Sequence, residues 1–299
     1  MLQFAAVPTM DLVVVGESFE DLVFFGLRRL PTLGEEIKTA SFHQTVGGGA
    51  IITAVGAARL GLRTSVMSGL SPGAARVLKA EGIRVRNLRR TAEPPALSVA
   101  LSTKANRSFV TFNGVNDALE PRLAAAAPRV AAHHVHFAFF PAACRPWVGI
   151  VEGLRRRGIT TSWDFGWNER LLRDPRFTAL LAALDYVFVN HQEAALYAQT
   201  RTVAAAVPYW RGHARNAVIK LGPRGCRWVS PGRDLRSPPV RVRTVETTGA
   251  GDAFNAGFLF GLRRGLRPAA ILRAANFVGA MSTRAAGGIA ALPRRREMA

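Results

Sequence analysis

A chain of 299 residues, 48% of them hydrophobic, can bury a sizeable core as one large α/β domain or two smaller ones. The net charge of +20 invites a nucleic-acid reading, yet all but four of the 40 basic residues are arginines, the exceptions being Lys38, Lys79, Lys104 and Lys220. They fall in short scattered runs such as Arg89–Arg90 and Arg155–Arg157, which read as solvated faces, so nucleic acid is excluded as the main partner while a small anionic ligand fits the charge.

The first predicted strand is Asp11–Gly16, where Leu12–Val15 form an apolar run ended by glycine, the pattern of a buried parallel strand. The polar cluster Glu17–Asp21 follows, at the end of the strand where an open α/β sheet has its ligand crevice. Asp21 reads there either as a loop acid or as a holder of vicinal hydroxyls, for which a carboxylate has two accepting oxygens. Phe24 to Thr45, with turn signals at Pro31 and Gly34, predicts short strands. Gly47-Gly48-Gly49 then opens a helix that ends at Gly61, and its small residues let a ligand approach the backbone. Thr64–Leu70 predicts a strand, and Ala74–Glu81 a short helix closed by Gly82. Ala96–Ser102 and Arg107–Phe112 alternate and are separated by Thr103–Asn106, the chemistry of a hairpin. Arg107 and Asn116 read either as substrate contacts or as a solvated arginine and a turn asparagine.

His133–Phe140 predicts a strand in which His134 and His136 share a face; a metal pair there lacks a third ligand. Trp147–Arg156 predicts a helix, Ile159–Asp164 a strand with Trp167 and Asn168 beyond its end, and Tyr186–Asn190 another strand. Asn190-His191-Gln192-Glu193 follows it, a pattern any helix start can show. Ala217–Leu221 is a further strand before the turn Gly222-Pro223-Arg224-Gly225, and Lys220 at its end could approach a phosphate. The alternation of strand and helix predicts an α/β fold with a parallel sheet and no interdomain linker. Near the end, Thr247-Thr248-Gly249-Ala250-Gly251 is a turn of small residues whose N–H groups can converge on one point. Helix-forming residues follow at once, so an anion-attracting helix N-terminus lies in the turn. Asp252 reads either as a favourable first-turn charge or as a base that takes a proton from an attacking hydroxyl. Cys144 and Cys226 lie far apart without CxxC spacing, which fits a reducing cytoplasm. No run of eighteen apolar residues occurs and MLQFAAVPTMDLVVV lacks a charged leader region, so neither a membrane span nor a signal peptide is expected.

TTGAGDAFNAGFL, Thr247–Leu259, resembles the C-terminal signature of the ribokinase-like (PfkB-type) carbohydrate kinases, and Gly47–Gly61 resembles their N-terminal signature GGxxxNxAxxLxxLG. The similarity spans about residues 11–293. It implies a ribokinase-like three-layer sandwich with a mostly parallel central sheet and a small β-sheet lid. One kinase domain would span residues 1–299, with the lid from about 17–45 and 95–115. The resemblance implies ATP and Mg²⁺ as cofactors and γ-phosphate transfer to a hydroxyl of a sugar or sugar derivative. Asp252 would be the catalytic base, with Gly249, Ala250 and Gly251 as the anion hole. Asp21, Gly47, Gly48, Arg107 and Asn116 would take the acceptor. Asn190, Glu193, Lys220, Gly222, Gly225, Thr248 and Asn276 would serve ATP, Glu193 reaching Mg²⁺ through water. A homodimer through the lid is also expected. The alternatives are a nucleoside kinase of the same family and a non-catalytic sugar- or nucleotide-binding regulator; a dinucleotide-dependent oxidoreductase would need a glycine fingerprint that Gly16-Glu17-Ser18 is not.

Two positions depart from the family pattern. Glu246 stands where the family has an Asp that helps to hold a monovalent cation, so potassium dependence is expected to be weakened. Ile52 stands at the family's sugar-binding Asn and cannot bond a hydroxyl. Ribose is therefore expected to be a poor acceptor, and a deoxy sugar acid, a modified sugar or a nucleoside a better one.

Overall fold

The computed structural model describes residues 10–103 and 107–298. Thirteen strands are described: β1 (Met10–Gly16), β2 (Phe19–Leu27), β3 (Phe42–Gly47), β4 (Thr64–Ser68), β5 (Arg84–Asn87), β6 (Leu97–Thr103), β7 (Arg107–Phe112), β8 (Ala132–Ala138), β9 (Thr160–Asp164), β10 (Tyr186–Asn190), β11 (Ala217–Lys220), β12 (Cys226–Ser230) and β13 (Arg233–Ser237). The α-helices are α1 (Gly49–Arg59), α2 (Pro72–Ala80), α3 (Leu119–Ala126), α4 (Cys144–Arg156), α5 (Phe177–Ala183), α6 (His191–Tyr197), α7 (Val203–His213), α8 (Ala250–Arg263) and α9 (Pro268–Ser282).

Nine strands form one sheet in the order β13-β12-β11-β10-β9-β8-β1-β4-β5. The pairings from β11 through β5 are parallel, and β12 and β13 add an antiparallel edge. The alternation of side chains along each strand divides the core into two halves. In β1, Val13 and Val15 join one cluster, and Leu12 and Val14 join the other. In β10, Val187 and Val189 go one way and Phe188 the other. Helices α4 to α7 cover the first face with Trp147, Phe177, Tyr197 and Trp210. Helices α1, α8 and α9 cover the second with Ile51, Val55, Phe258 and Leu272. The result is a three-layer α/β/α sandwich. β2, β3, β6 and β7 form a separate four-stranded sheet in the order β3-β2-β6-β7, antiparallel except for the β2/β6 pair.

The predicted parallel strands and the helix at Gly49 form as expected. One expectation changes. Asp21 is not on a loop after β1 but inside β2, paired with Thr45 of β3 and Ser98 of β6. Its side chain is thereby fixed by two strands rather than free to swing. The predicted hairpin of β6 and β7 is present as an antiparallel pair with Ser102 opposite Arg107, while its turn residues 104–106 lie outside the described residues.

Helix α8 must lie close to α9. A methyl placed on Gly257 would come within 2.8 Å of the Ala274 carbonyl oxygen and 2.9 Å of Ala275 Cα, both backbone atoms that cannot swing away. Gly257→Ala should therefore destabilise the fold by about 1–3 kcal/mol despite its better helix propensity. Denaturant unfolding of both proteins checks it, and equal or greater stability of the alanine variant would show that the helices separate freely.

Candidate active site

The C-terminal ends of β1, β9, β10 and β11 and the N-termini of α1 and α8 meet on one side of the large sheet. Gly249 caps α8 in the left-handed region at φ +72°, a conformation that favours glycine. This turn places Asp252 in the first turn of α8, where N–H groups lack intrahelical partners. Asp252 reaches α1: its Oδ1 lies 3.1 Å from where a Cβ on Gly49 would sit, and Thr53 Oγ1 donates to its backbone carbonyl at 3.2 Å. Gly48 begins α1 at φ +92°. Gly47 makes room for Asp21, since a methyl on it would fall 1.8 Å from Asp21 Oδ2. Gly47, Gly48, Asp21, Asp252 and the Gly249–Gly251 turn are thus brought to one place.

Asp21 is 7% exposed, and burial, followed by the charges of Glu246, Glu20 and Asp252, pushes its carboxyl up to about 7. Glu246 is also buried. Its Oε1 accepts from the Thr248 backbone N–H at 2.6 Å and from Thr248 Oγ1 at 2.5 Å. Its Oε2 is buried without a hydrogen-bond partner among the described residues, so the carboxylate fits a cation better than an empty protein interior. Ile52, 2% exposed, has its Cδ1 against both Gly249 and Gly288, each at 2.4 Å from the place of a Cβ. It supports the turn directly.

On the other side of that turn, Lys220 Nζ donates to Asp164 Oδ2 at 2.5 Å and lies 3.1 Å from the place of a Cβ on Gly251. Asn255 Nδ2, one helical turn after Asp252, donates to the same Asp164 oxygen at 2.7 Å. Burial alone would raise Asp164, but the Lys220 ammonium and the Asn255 bond hold it below the usual carboxylate range. Burial works against the Lys220 charge, and Asp164 and Glu193 outweigh it and push Lys220 up. Asn190 and Glu193 form a capping box at the start of α6: Glu193 Oε2 accepts from the Asn190 backbone N–H at 2.7 Å and Oε1 from Asn190 Nδ2 at 2.6 Å. Each Glu193 oxygen thus accepts one hydrogen bond from Asn190. Burial and Asp164 push Glu193 up to about 7.

A cavity of about 740 Å³ adjoins the turn, lined by Lys220, Gly222, Gly225, Ala250, Asn276 and Thr283 among others. Asn276 Nδ2 donates to the Pro238 carbonyl at 2.8 Å and to Ser237 Oγ at 3.2 Å, so it holds the loop after β13 that walls the cavity. Gly222 and Gly225 have φ of +58° and +84°. A second cavity, of about 570 Å³, lies by the other end of Gly48 and is lined by Glu17, Phe19, Asn116, Phe139, Phe140 and Trp167 among others. Asn116 Nδ2 donates to the Ser18 carbonyl at 3.2 Å, and its Oδ1 is buried without a partner among the described residues. Arg107 starts β7, and its side chain lies outside the described residues. His134 and His136 both bond Ser162 Oγ at 2.8 Å, and burial lowers both rings, to about 3 and about 4, so they are neutral core histidines.

The carboxyl groups of Glu17, Asp21 and Glu193 are all pushed up to about 7. The folded chain keeps protons that the unfolded chain has released, so each group lowers stability as the pH rises from its unfolded value of about 4 through about 7. Asp21→Asn should therefore raise the melting temperature of the ligand-free protein more at pH 8 than at pH 5, at roughly 2–4 °C per kcal/mol for a domain of this size. Melts of both proteins at the two pH values test this; an equal shift at each would mean that Asp21 keeps its ordinary pKa.

Residues 9–295 match the family model described as pfkB family carbohydrate kinase. The chain is 27% identical over 312 residues to a 2-dehydro-3-deoxygluconokinase of Bacillus subtilis, covering 97% of this chain and 94% of that protein. It is 25% identical over 320 residues to a ribokinase of the same organism, covering 96% and 98%. Among solved structures, Arabidopsis thaliana ribokinase complexed with ribose and ATP superposes with a TM-score of 0.77 at 22% identity over 97% of both chains. Adenosine kinase from Sinorhizobium meliloti superposes with a TM-score of 0.79 at 20% identity, over 95% of this chain and 97% of that one.

Proposed function

The chain belongs to the pfkB family of carbohydrate kinases, and we propose that it transfers the γ-phosphate of ATP to a hydroxyl of a sugar or sugar derivative with Asp252 as the base. The observation that carries this reading is the joint between α1 and α8. There Asp252, the left-handed Gly249 turn and the buried Asp21 converge on one point between the two cavities. Asp252 accepts the proton that the acceptor hydroxyl loses as its oxygen attacks. The N–H groups of the Gly249–Gly251 turn and the start of α8 stabilise negative charge that develops on the phosphoryl oxygens. Lys220, held by Asp164 beside Gly251, adds a positive charge on the nucleotide side. Asp21, shaped by Gly47, orients the acceptor through its hydroxyls. The larger cavity, with Gly222, Gly225 and Asn276 in its wall, fits the nucleotide, and Thr248, which bonds Glu246, sits in the turn beside it. Mg²⁺, when bound, neutralises phosphate charge, and Glu193 would hold it through water.

We read residues 1–299 as one kinase domain whose lid is the small sheet. The lid's exposed Phe109, Val110 and Phe112 on β7 support a homodimer through it. No helix among the described residues is long and apolar enough to cross a membrane, and both cysteines are buried free thiols, which supports a reducing cytoplasm. The two full-length relatives, named a 2-dehydro-3-deoxygluconokinase and a ribokinase, support a sugar-like acceptor without choosing one.

Asp252→Asn should lower turnover by about 10²-fold or more while leaving the fold and ATP binding intact. ADP formation with an accepted acceptor, alongside ATP titration, measures both, and near-normal transfer by the variant would remove Asp252 from the mechanism. The cation question has a second test. The orphaned Glu246 Oε2 supports a bound monovalent cation, the reverse of the weakening that the Asp-to-Glu change suggests on its own. Rates at equal ionic strength should be several-fold higher in potassium than in a bulky organic cation; equal rates would leave Glu246 as a structural carboxylate only.

A further inference from the structure

The cavity beside Gly48 has a polar floor that the protein does not satisfy. Glu17 sits between β1 and β2, and among the described residues its carboxyl group has no hydrogen-bond partner. The other acids in the cavity wall have partners: Asp117, which is exposed, accepts at Oδ1 from Asn113 Nδ2 at 2.7 Å, and Glu120 accepts at both oxygens, from Trp147 Nε1 and from the Ala142 N–H, each at 2.7 Å. Asn116 Oδ1 is the second acceptor atom there without a partner among the described residues. A buried acceptor left unpaired is costly, so Asn116 Oδ1 calls for a ligand that donates, and the half-buried Glu17 carboxyl group in the same cavity wall is open to accept from that ligand. Charge points the same way. Asp117 and Glu120 face Glu17 from the segment around α3, Asp252 stands across Gly48–Gly49 on α8, and Arg170, which also lines the cavity, is exposed to screening solvent. The walls are aromatic. Phe140 and Trp167 are 48% and 52% exposed, and Phe140 is held against Gly166, whose φ of +61° leaves space for the ring, 2.7 Å from the place of a Cβ. Phe139, in the same wall, is fixed by Trp163 Nε1, which donates to its carbonyl at 2.9 Å. The cavity adjoins the reacting end of the acceptor, because Phe139 follows Ala138, whose Cβ shares Gly49 with Asp252.

We propose that Glu17 selects the acceptor: its carboxylate takes hydrogen bonds from N–H or O–H donors on an uncharged flat ring that lies against Phe140 and Trp167, and it turns away acceptors with a carboxylate at that end. The inference rests on the kinase reading for the position of the reacting hydroxyl. Such a ring can be that of a cyclic sugar or the amino-bearing base of a nucleoside, and an open-chain sugar acid is the class it excludes. Burial first, and then Asp117 and Glu120, push the Glu17 carboxyl up to about 7, so donor-bearing acceptors should bind more tightly as the pH rises through that value.

Direct binding tests the inference apart from turnover. Calorimetry on the wild-type chain would use a neutral ring sugar, an amino-bearing purine nucleoside and an open-chain sugar acid, at pH 6 and pH 8. A donor-bearing ring should bind best, more tightly at pH 8, and Glu17→Gln should weaken it by about tenfold or more and flatten its pH dependence. Phe140→Ala should weaken the same ligand; a larger loss for the nucleoside than for the sugar would assign the ring to a base. Tightest binding of the sugar acid, no binding of any of the three, or unchanged affinity in a folded Glu17→Gln would overturn the assignment. Phosphate transfer measured with the same compounds judges the kinase reading separately: binding as expected with no ADP formed from any of them would leave the Glu17 contact to the ring standing and count against its bearer being the acceptor.

Discussion

The site depends on how closely two helices approach each other. Helix α1 follows Gly47 and Gly48, α8 carries Asp252, and the two backbones meet through residues with almost no side chain. A methyl on Gly56 would come 2.7 Å from Ala256 Cβ, and one on Gly49 would crowd Ala138 and Asp252, each at 3.1 Å. The contact is sealed by Thr53, whose hydroxyl bonds the Asp252 carbonyl, and by Ile52 against Gly249. Positioning of this kind matters because a reacting hydroxyl and its base must be held within about 3–3.5 Å for transfer. A larger side chain at any of these glycines would separate the two halves of the chemistry before it touched a ligand.

Around that joint the electrostatics run against the charge of the chain. The protein as a whole carries +20, yet Glu17, Glu20, Asp21, Asp164, Glu193, Glu246 and Asp252 gather on the crevice side, and burial together with neighbouring carboxylates pushes Asp21 and Glu193 up. Packing so many acids in a low-dielectric crevice destabilises the empty protein. Lys220 offsets Asp164, while Glu246 Oε2 stays buried without a partner among the described residues. Part of the stability given up in the empty state returns as affinity when a ligand pairs such a group.

What could be read in advance divides by the distance over which it is specified. The Gly249–Asp252 turn and the capping box of Asn190 and Glu193 are local devices, and a few consecutive residues are enough to declare them. Strands such as β1 and β10 were equally plain, since a strand buried on both faces tends to be a near-continuous apolar run. Asp21 was recognisable as a site residue, but its place inside β2 depends on Thr45 and Ser98, far along the chain. Asp164, Asn255 and Lys220 meet from three elements, and no spacing in the sequence records a triangle of that kind. Glu17 carries no motif at all; its place beside Asn116, Asp117 and Glu120, a hundred residues away, exists only in the folded chain. The antiparallel edge of β12 and β13 is a different case, because Pro231-Gly232 between two short runs is a readable hairpin signal.

Ile52 shows why a departure from a family pattern has to be judged in three dimensions. Read along the chain, an apolar residue at a position for a sugar-binding amide is a lost hydrogen bond. In the folded chain the side chain is an apolar peg, buried between Gly249 at the turn and Gly288 in the segment after α9. A polar amide in that slot would face glycine backbone with its own groups to satisfy, at a cost of about 1–3 kcal/mol if it failed. What Ile52 supplies is packing: it holds the Gly249 turn between α1 and the segment that follows α9. The polar groups near that joint lie instead in the cavity beside Gly48, where Glu17 and the unpartnered Asn116 Oδ1 line the wall.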